Sequence, residues 1–208
     1  MNEGDFRRYY HQETHLFDEV SQHFAKDGFL TAFDFFCIVI WKANRAKSKI
    51  ADRLRSKGYT NLDAAVHALT SQIAAAPSAK ERLRVLVEGW KFRLPMASAI
   101  LTVLYPEDFT VYDVRVCGML GDFQAIQDRA DFETLWYGYC GYLAAVVHKA
   151  PSSLSLRDKD RWLWGRSFAK QLKTDISNGF AALDRLGAES FMKGGRKQPK
   201  APQRKIFA

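Results

Sequence analysis

The chain has 208 residues, 47% hydrophobic and 26% charged, with a formal net charge of +8. That is enough apolar material to fill a core without disulfide or metal staples, and the longest apolar runs, Phe35 to Trp41 and Met96 to Leu104, are too short to cross a bilayer. The cysteines Cys37, Cys117 and Cys140 are widely spaced and form no Cys-x-x-Cys pair, which argues against a zinc site or a disulfide framework.

The opening residues Met1-Asn2-Glu3-Gly4-Asp5 lack the apolar segment of a signal peptide, so a cytoplasmic, nucleoid-associated location is expected. His11 and His15 stand four apart, at helix-face spacing, but no third ligand lies near them in sequence, and neither a metal nor a cofactor is expected. Apolar residues then recur at helical spacing almost throughout, which predicts an all-α fold; strand-like alternation is confined to short pieces such as Phe109 to Tyr112.

Ile50 and Leu54 belong to a helix that Gly58 ends. Leu62, Val66, Leu69 and Ile73 form one apolar stripe. Pro77 closes that helix, and Ser78-Ala79-Lys80-Glu81 is a capping box that predicts a helix from Ala79 to Gly89. Ala97, Ile100, Leu101 and Leu104 make a third stripe, stopped by Tyr105-Pro106. Asp131 caps a long helix through Leu135, Tyr142, Leu143 and Val146 that Pro151 ends, and Ser155-x-x-Asp158 opens another carrying Trp162, Leu163 and Phe168. These elements form one helical domain over residues 1–192. Beyond Met192 come Lys193, Arg196, Lys197, Lys200, Arg204 and Lys205 without an acid, broken by Gly194, Gly195, Pro199 and Pro202. Residues 193–208 are therefore expected to be a disordered tail that adheres to phosphates.

The most informative segment runs Gly89-Trp90-Lys91-Phe92-Arg93-Leu94-Pro95-Met96-Ala97-Ser98-Ala99-Ile100-Leu101, followed by Tyr105-Pro106-Glu107-Asp108-Phe109-Thr110-Val111-Tyr112-Asp113-Val114-Arg115. Two helices meet at a tight turn, and a loop then returns to a lone acid. Over about Leu83 to Cys117 this resembles the helix-hairpin-helix DNA glycosylase superfamily, in which a hairpin, a helix of small residues and a catalytic aspartate follow in that order. The hairpin would span about 83–104 and the catalytic loop 105–117. It departs from the usual Gly-Val-Gly core, because Lys91 and Arg93 take the glycine positions.

The resemblance implies a compact, two-lobed helical bundle acting as a monomer on double-stranded DNA with an extruded nucleotide. Asp113 would be catalytic: a carboxylate beside C1′ stabilises the positive charge that develops when an N-glycosidic bond breaks, and can orient the attacking water. The bland alternative is that Asp113 merely caps the helix that begins at Val114. The turn residues Met96, Ala97 and Ser98 would offer backbone N–H groups to a phosphate, with Lys91, Arg93 and Arg115 as cationic contacts. At the junction Trp41-Lys42-Ala43-Asn44-Arg45, Trp41 would stack on a base, Asn44 would bond a base edge, and Lys42 and Arg45 would hold phosphates, with Lys42 part of the base pocket. Asp160 and Trp164 match a late helix that packs near such sites. Tyr137, Tyr139 and Tyr142 are candidate pocket walls, although aromatics at this spacing more often fill cores.

Bifunctional members of the superfamily carry a lysine where this sequence has Pro95. The resemblance therefore implies a monofunctional enzyme that leaves an abasic site, with Lys42 and Lys91 as possible displaced nucleophiles. The excised base is open between a damaged purine, uracil or mismatched thymine, and a hypermodified phage base, so repair and antiviral defence are both compatible. Two other classes fit the composition: a noncatalytic helix-hairpin-helix DNA-binding module and an RNA-binding accessory protein.

Overall fold

A computed structural model describes residues 11–121 and 123–185. The basic tail lies outside them. The chain divides into two compact units, Met1–Ser167 and Phe168–Ala208.

Among the described residues every regular element is helical and no strand occurs. Gln12–Thr14 (α1) continues through a π-helical stretch, His15–Val20, into Ser21–Asp27 (α2). Gly28 ends α2 at φ 74°, a left-handed conformation that costs glycine nothing. Ala32–Ala43 (α3) starts where Thr31 Oγ1 accepts from the Asp34 N–H, and a short 3-10 turn, Asn44–Ala46, leads into Lys47–Arg55 (α4). Asn61 caps Leu62–Ala75 (α5), a start the apolar pattern alone did not mark.

Ser78, Asp131 and Ser155 cap helices as read from sequence, whereas Glu81, the other half of the capping box, pairs with Arg84. Ser78 Oγ accepts from the Glu81 N–H at the start of Ala79–Arg84 (α6), which runs on as a π-helical turn, Val85–Gly89. Asp131 caps Phe132–Lys149 (α9), and Ser155 Oγ accepts from the Asp158 N–H at the start of Leu156–Arg185 (α10).

Leu94–Leu104 (α7) is the centre of the first unit. Every residue of it except Pro95 is buried, not merely the expected stripe, because α7 packs against α2, α3 and α6 together. Its two hydroxyls are satisfied within the helix: Ser98 Oγ donates to Pro95 O, and Thr102 Oγ1 donates to Ser98 O. Each fully buried Leu, Ile or Val side chain here contributes roughly 1.5–3 kcal/mol. No helix among the described residues is long and apolar enough to cross a membrane.

The turn between α6 and α7 shows why a hairpin can form without glycines. Trp90 and Phe92 plunge into the core, while Lys91 and Arg93 between and after them face outward. Reversing the chain across two buried aromatics forces Lys91 to φ 58°, the position where glycine would be at ease. In the second unit, the described residues are the continuation of α10, along which Phe168, Leu172, Ile176 and Phe180 are exposed at four-residue intervals.

Candidate functional site

The stretch from Phe109 to Tyr112 lies outside any helix and has no neighbouring strand among the described residues. A buried backbone must place its hydrogen bonds somewhere, and here side chains take them. Thr110 N–H donates to the Tyr139 hydroxyl at 3.0 Å, and that hydroxyl donates back to Thr110 O at 2.7 Å. The Tyr142 hydroxyl donates to Val111 O at 2.8 Å. The Tyr112 N–H donates to Ser98 Oγ at 2.9 Å. Burial pushes the Tyr139 and Tyr142 phenols up, so they remain neutral donors.

This scaffold delivers Asp113 to the N-terminus of Val114–Leu120 (α8). Its Oδ1 accepts from the Arg115 N–H at 2.9 Å, capping the helix. Its Oδ2 accepts from Lys42 Nζ at 2.8 Å, and the same ammonium reaches Tyr112 O at 3.4 Å. Capping and a second engagement therefore coexist on one carboxylate. Burial works to raise the Asp113 carboxyl, but the Lys42 ammonium, its hydrogen bond and the Arg115 N–H overcome this and hold it below its ordinary value. The group is an anion at neutral pH, and Asp113 is still partly open to solvent.

Two clefts meet at this pair. The larger, about 540 Å³, is lined by Glu13, Trp41, Lys42, Val111, Asp113, Arg157, Asp160, Arg161 and Trp164. The smaller, about 290 Å³, shares Lys42 and Asp113 and adds Pro95, Tyr112, Val114, Cys117, Gln124 and Gln127. The larger lies in the range of small-molecule sites and has indole walls with charged groups converging between them.

Asp160 is the second carboxylate of the larger cleft. It is buried, Arg157 Nη1 donates to it, and burial pushes its carboxyl up to about 6 against the opposing pull of Arg157 and Lys42. Arg157 also bonds Glu13, and its guanidinium lies over the Phe17 and Trp41 rings at 5.0 and 5.3 Å. On the far side, Arg115 lies 5.4 Å over the Trp164 ring. Two carboxylates whose environments push their ionisation in opposite directions thus sit in one cavity.

Of the residues expected from sequence, Asp113, Trp41, Lys42, Asp160 and Trp164 come together, and Arg115 stands beside them. Asn44 lines neither cleft. α3 ends at Ala43 and the chain turns away, leaving Asn44 exposed, with its Oδ1 accepting from Lys47 Nζ at 2.9 Å. Met96, Ala97 and Ser98 are buried in α7, and the Met96 and Ala97 N–H groups are engaged by Arg93 O; Ser98 instead positions Tyr112. Arg93 pairs with Asp128 at 2.9 Å on the surface, and Lys91 and Arg45 are exposed. His15 is buried beside Glu19, and no group of three or more His, Cys, Asp or Glu residues suited to a metal occurs among the described residues.

Sequence reasoning missed Glu13, Arg157 and Arg161 as cleft residues, together with Gln124 and Gln127. A signal was present for α10, where Arg157, Asp160, Arg161 and Trp164 fall at i, i+3, i+4 and i+7 on one face. None marked Glu13, which joins through the fold. Comparison with known protein families, curated proteins and solved structures gave no match.

Proposed function

We propose that this protein is a DNA glycosylase of the helix-hairpin-helix type, which draws a nucleotide out of the duplex and hydrolyses its N-glycosidic bond. The observation that carries this reading is the ionised Asp113, fixed between Lys42 and the Arg115 N–H at the junction of two clefts. An anion held there without reorganisation is what an oxocarbenium-like sugar requires. Trp41 and Trp164 supply flat apolar walls for an extruded base. In the reaction, the C1′–N bond breaks toward the base, a water oxygen bonds C1′, Asp113 takes up a proton of that water, and the departing base gains one proton from solvent.

A second reading of the same step is favoured by the Lys42–Asp113 contact. The Lys42 amine, once its proton has passed to Asp113, would attack C1′ as the base departs; opening of the sugar C1′–O4′ bond, with O4′ taking a proton, would then give a Schiff base, and β-elimination of the 3′ phosphate from it would cut the strand as well. The test of the main reading is release of free base, followed by mass spectrometry, from DNA panels carrying damaged purines, uracil, mismatched thymine or hypermodified phage bases. Base release with an intact strand is the expected result. DNA binding without release from any panel would leave a noncatalytic binding module.

A further inference from the structure

Outside the tail the sequence looks nearly balanced in charge, but the average hides a segregation. From Arg45 to Lys57 stand Arg45, Lys47, Lys49, Arg53, Arg55 and Lys57 against the single acid Asp52. The buried face of α4 is Ile50, Ala51 and Leu54, which leaves Lys49, Arg53 and Lys57, at i, i+4 and i+8, along one flank of the helix and the turn after it.

That flank is the one that meets the hairpin. Arg53 lies 5.4 Å over the Phe92 ring and Lys57 lies 5.5 Å over the Trp90 ring, with Lys57 Nζ donating to Gly89 O at 2.8 Å. The turn between Trp90 and Phe92 presents Lys91 outward beside them. Holding the guanidinium and the ammonium over aromatic rings fixes these side chains, and each charged group has further N–H donors for another partner.

We infer that Lys49, Arg53, Lys57 and Lys91 form a preformed cationic ridge that grips the phosphate backbone of duplex DNA. It rests on DNA being the partner, as proposed above, but not on the chemistry at Asp113. Fixed cations spaced along a helix flank track successive phosphates without reading bases, and each contact releases bound counterions.

The test uses the full chain and a short undamaged duplex of arbitrary sequence. The double variant Lys49→Gln, Lys57→Gln is expected to lower the slope of log affinity against log salt by about 2, since each phosphate contact contributes about 0.9. Lys49→Gln alone, a change at an exposed position, is expected to lower it by about 1 and serves if the double variant melts early. The charge-matched variant Lys26→Gln, Lys149→Gln, on α2 and α9, should leave the slope unchanged. An unaltered slope in the ridge variants, an equal fall in the charge-matched variant, or an effect confined to single-stranded RNA would overturn the inference. Absence of base release with the ridge effect intact would remove the enzyme reading and leave the ridge; base release with an unaltered slope would do the reverse.

Discussion

Lys42 at the end of α3 and Asp113 at the start of α8, 71 positions apart in sequence, meet at 2.8 Å with both side chains largely withdrawn from solvent. The pair sits on the shared wall of two clefts, so a change at either residue is felt in both.

Asp113→Asn should abolish base release, by at least about 100-fold, while DNA affinity stays nearly intact. Asparagine is as good a helix cap as aspartate, so the α8 start survives and the lost charge is isolated. Single-turnover assays beside binding isotherms check this, and wild-type turnover in the variant would refute the assignment of Asp113.

The choice between water and Lys42 is read from covalent trapping. Hydrolysis predicts that borohydride leaves no protein–DNA adduct on a duplex with a preformed abasic site, and that strands break only after alkali. An adduct that vanishes in Lys42→Gln but persists in Lys91→Gln would establish the amine route and keep the glycosylase.

Lys91→Gly should raise stability by up to about 1 kcal/mol, because glycine relieves a left-handed backbone at some cost in unfolded-chain freedom. The same variant should weaken DNA binding if the ridge includes Lys91. Paired urea melts and binding curves measure the two effects, and a destabilised variant would show that the strain lies elsewhere.

The Asp160 carboxyl is raised from about 3.8 to about 6 by burial. The folded state therefore holds its proton more tightly than the unfolded chain, and this group's contribution is fully present below about pH 4 and is lost as pH rises through about 6. Relative to Asp160→Asn, the wild type should lose stability across that window, by up to about 3 kcal/mol. Asp113, held low, acts oppositely: its contribution is lost only as pH falls below the ordinary carboxylate range. Melts from pH 4 to 7 separate them, and parallel curves for wild type and variant would contradict the burial argument.

Tyr142→Phe removes the donor to Val111 O and should cost about 1–3 kcal/mol, with activity falling further than stability because the segment carries Asp113. Ser98→Ala, which orphans the Tyr112 N–H, should behave alike. Equal activity per folded molecule would show that the segment needs neither bond.

Periodicity, caps and breakers made most of the helices legible: Ser78, Asp131 and Ser155 begin helices where their side-chain chemistry says they should. The cleft was legible where a short sequence window held its residues together, as with Trp41–Lys42 and Asp160–Trp164. Glu13 was not, because its partners in the cleft, Arg157 and Arg161, lie at the other end of the described chain. Asn44 misled for the opposite reason: proximity in sequence to Lys42 says nothing of direction once the helix ends between them. Ser98 looked like a phosphate contact and is a buried anchor, a distinction that only the packing of α7 supplies.

The segment before Asp113 also constrains how the chain can vary. A sheet tolerates a bulge because the extra residue can be left unpaired at little cost, but here each of Thr110, Val111 and Tyr112 has its own side-chain partner on a different helix or helix turn. Inserting or deleting one residue between Phe109 and Asp113 would shift every bond by one position at once and turn the carboxylate from Lys42. The segment is a measured length, so homologous chains that keep this site should conserve its residue count more strictly than its side chains, with changes at Ser98, Tyr139 and Tyr142 occurring together.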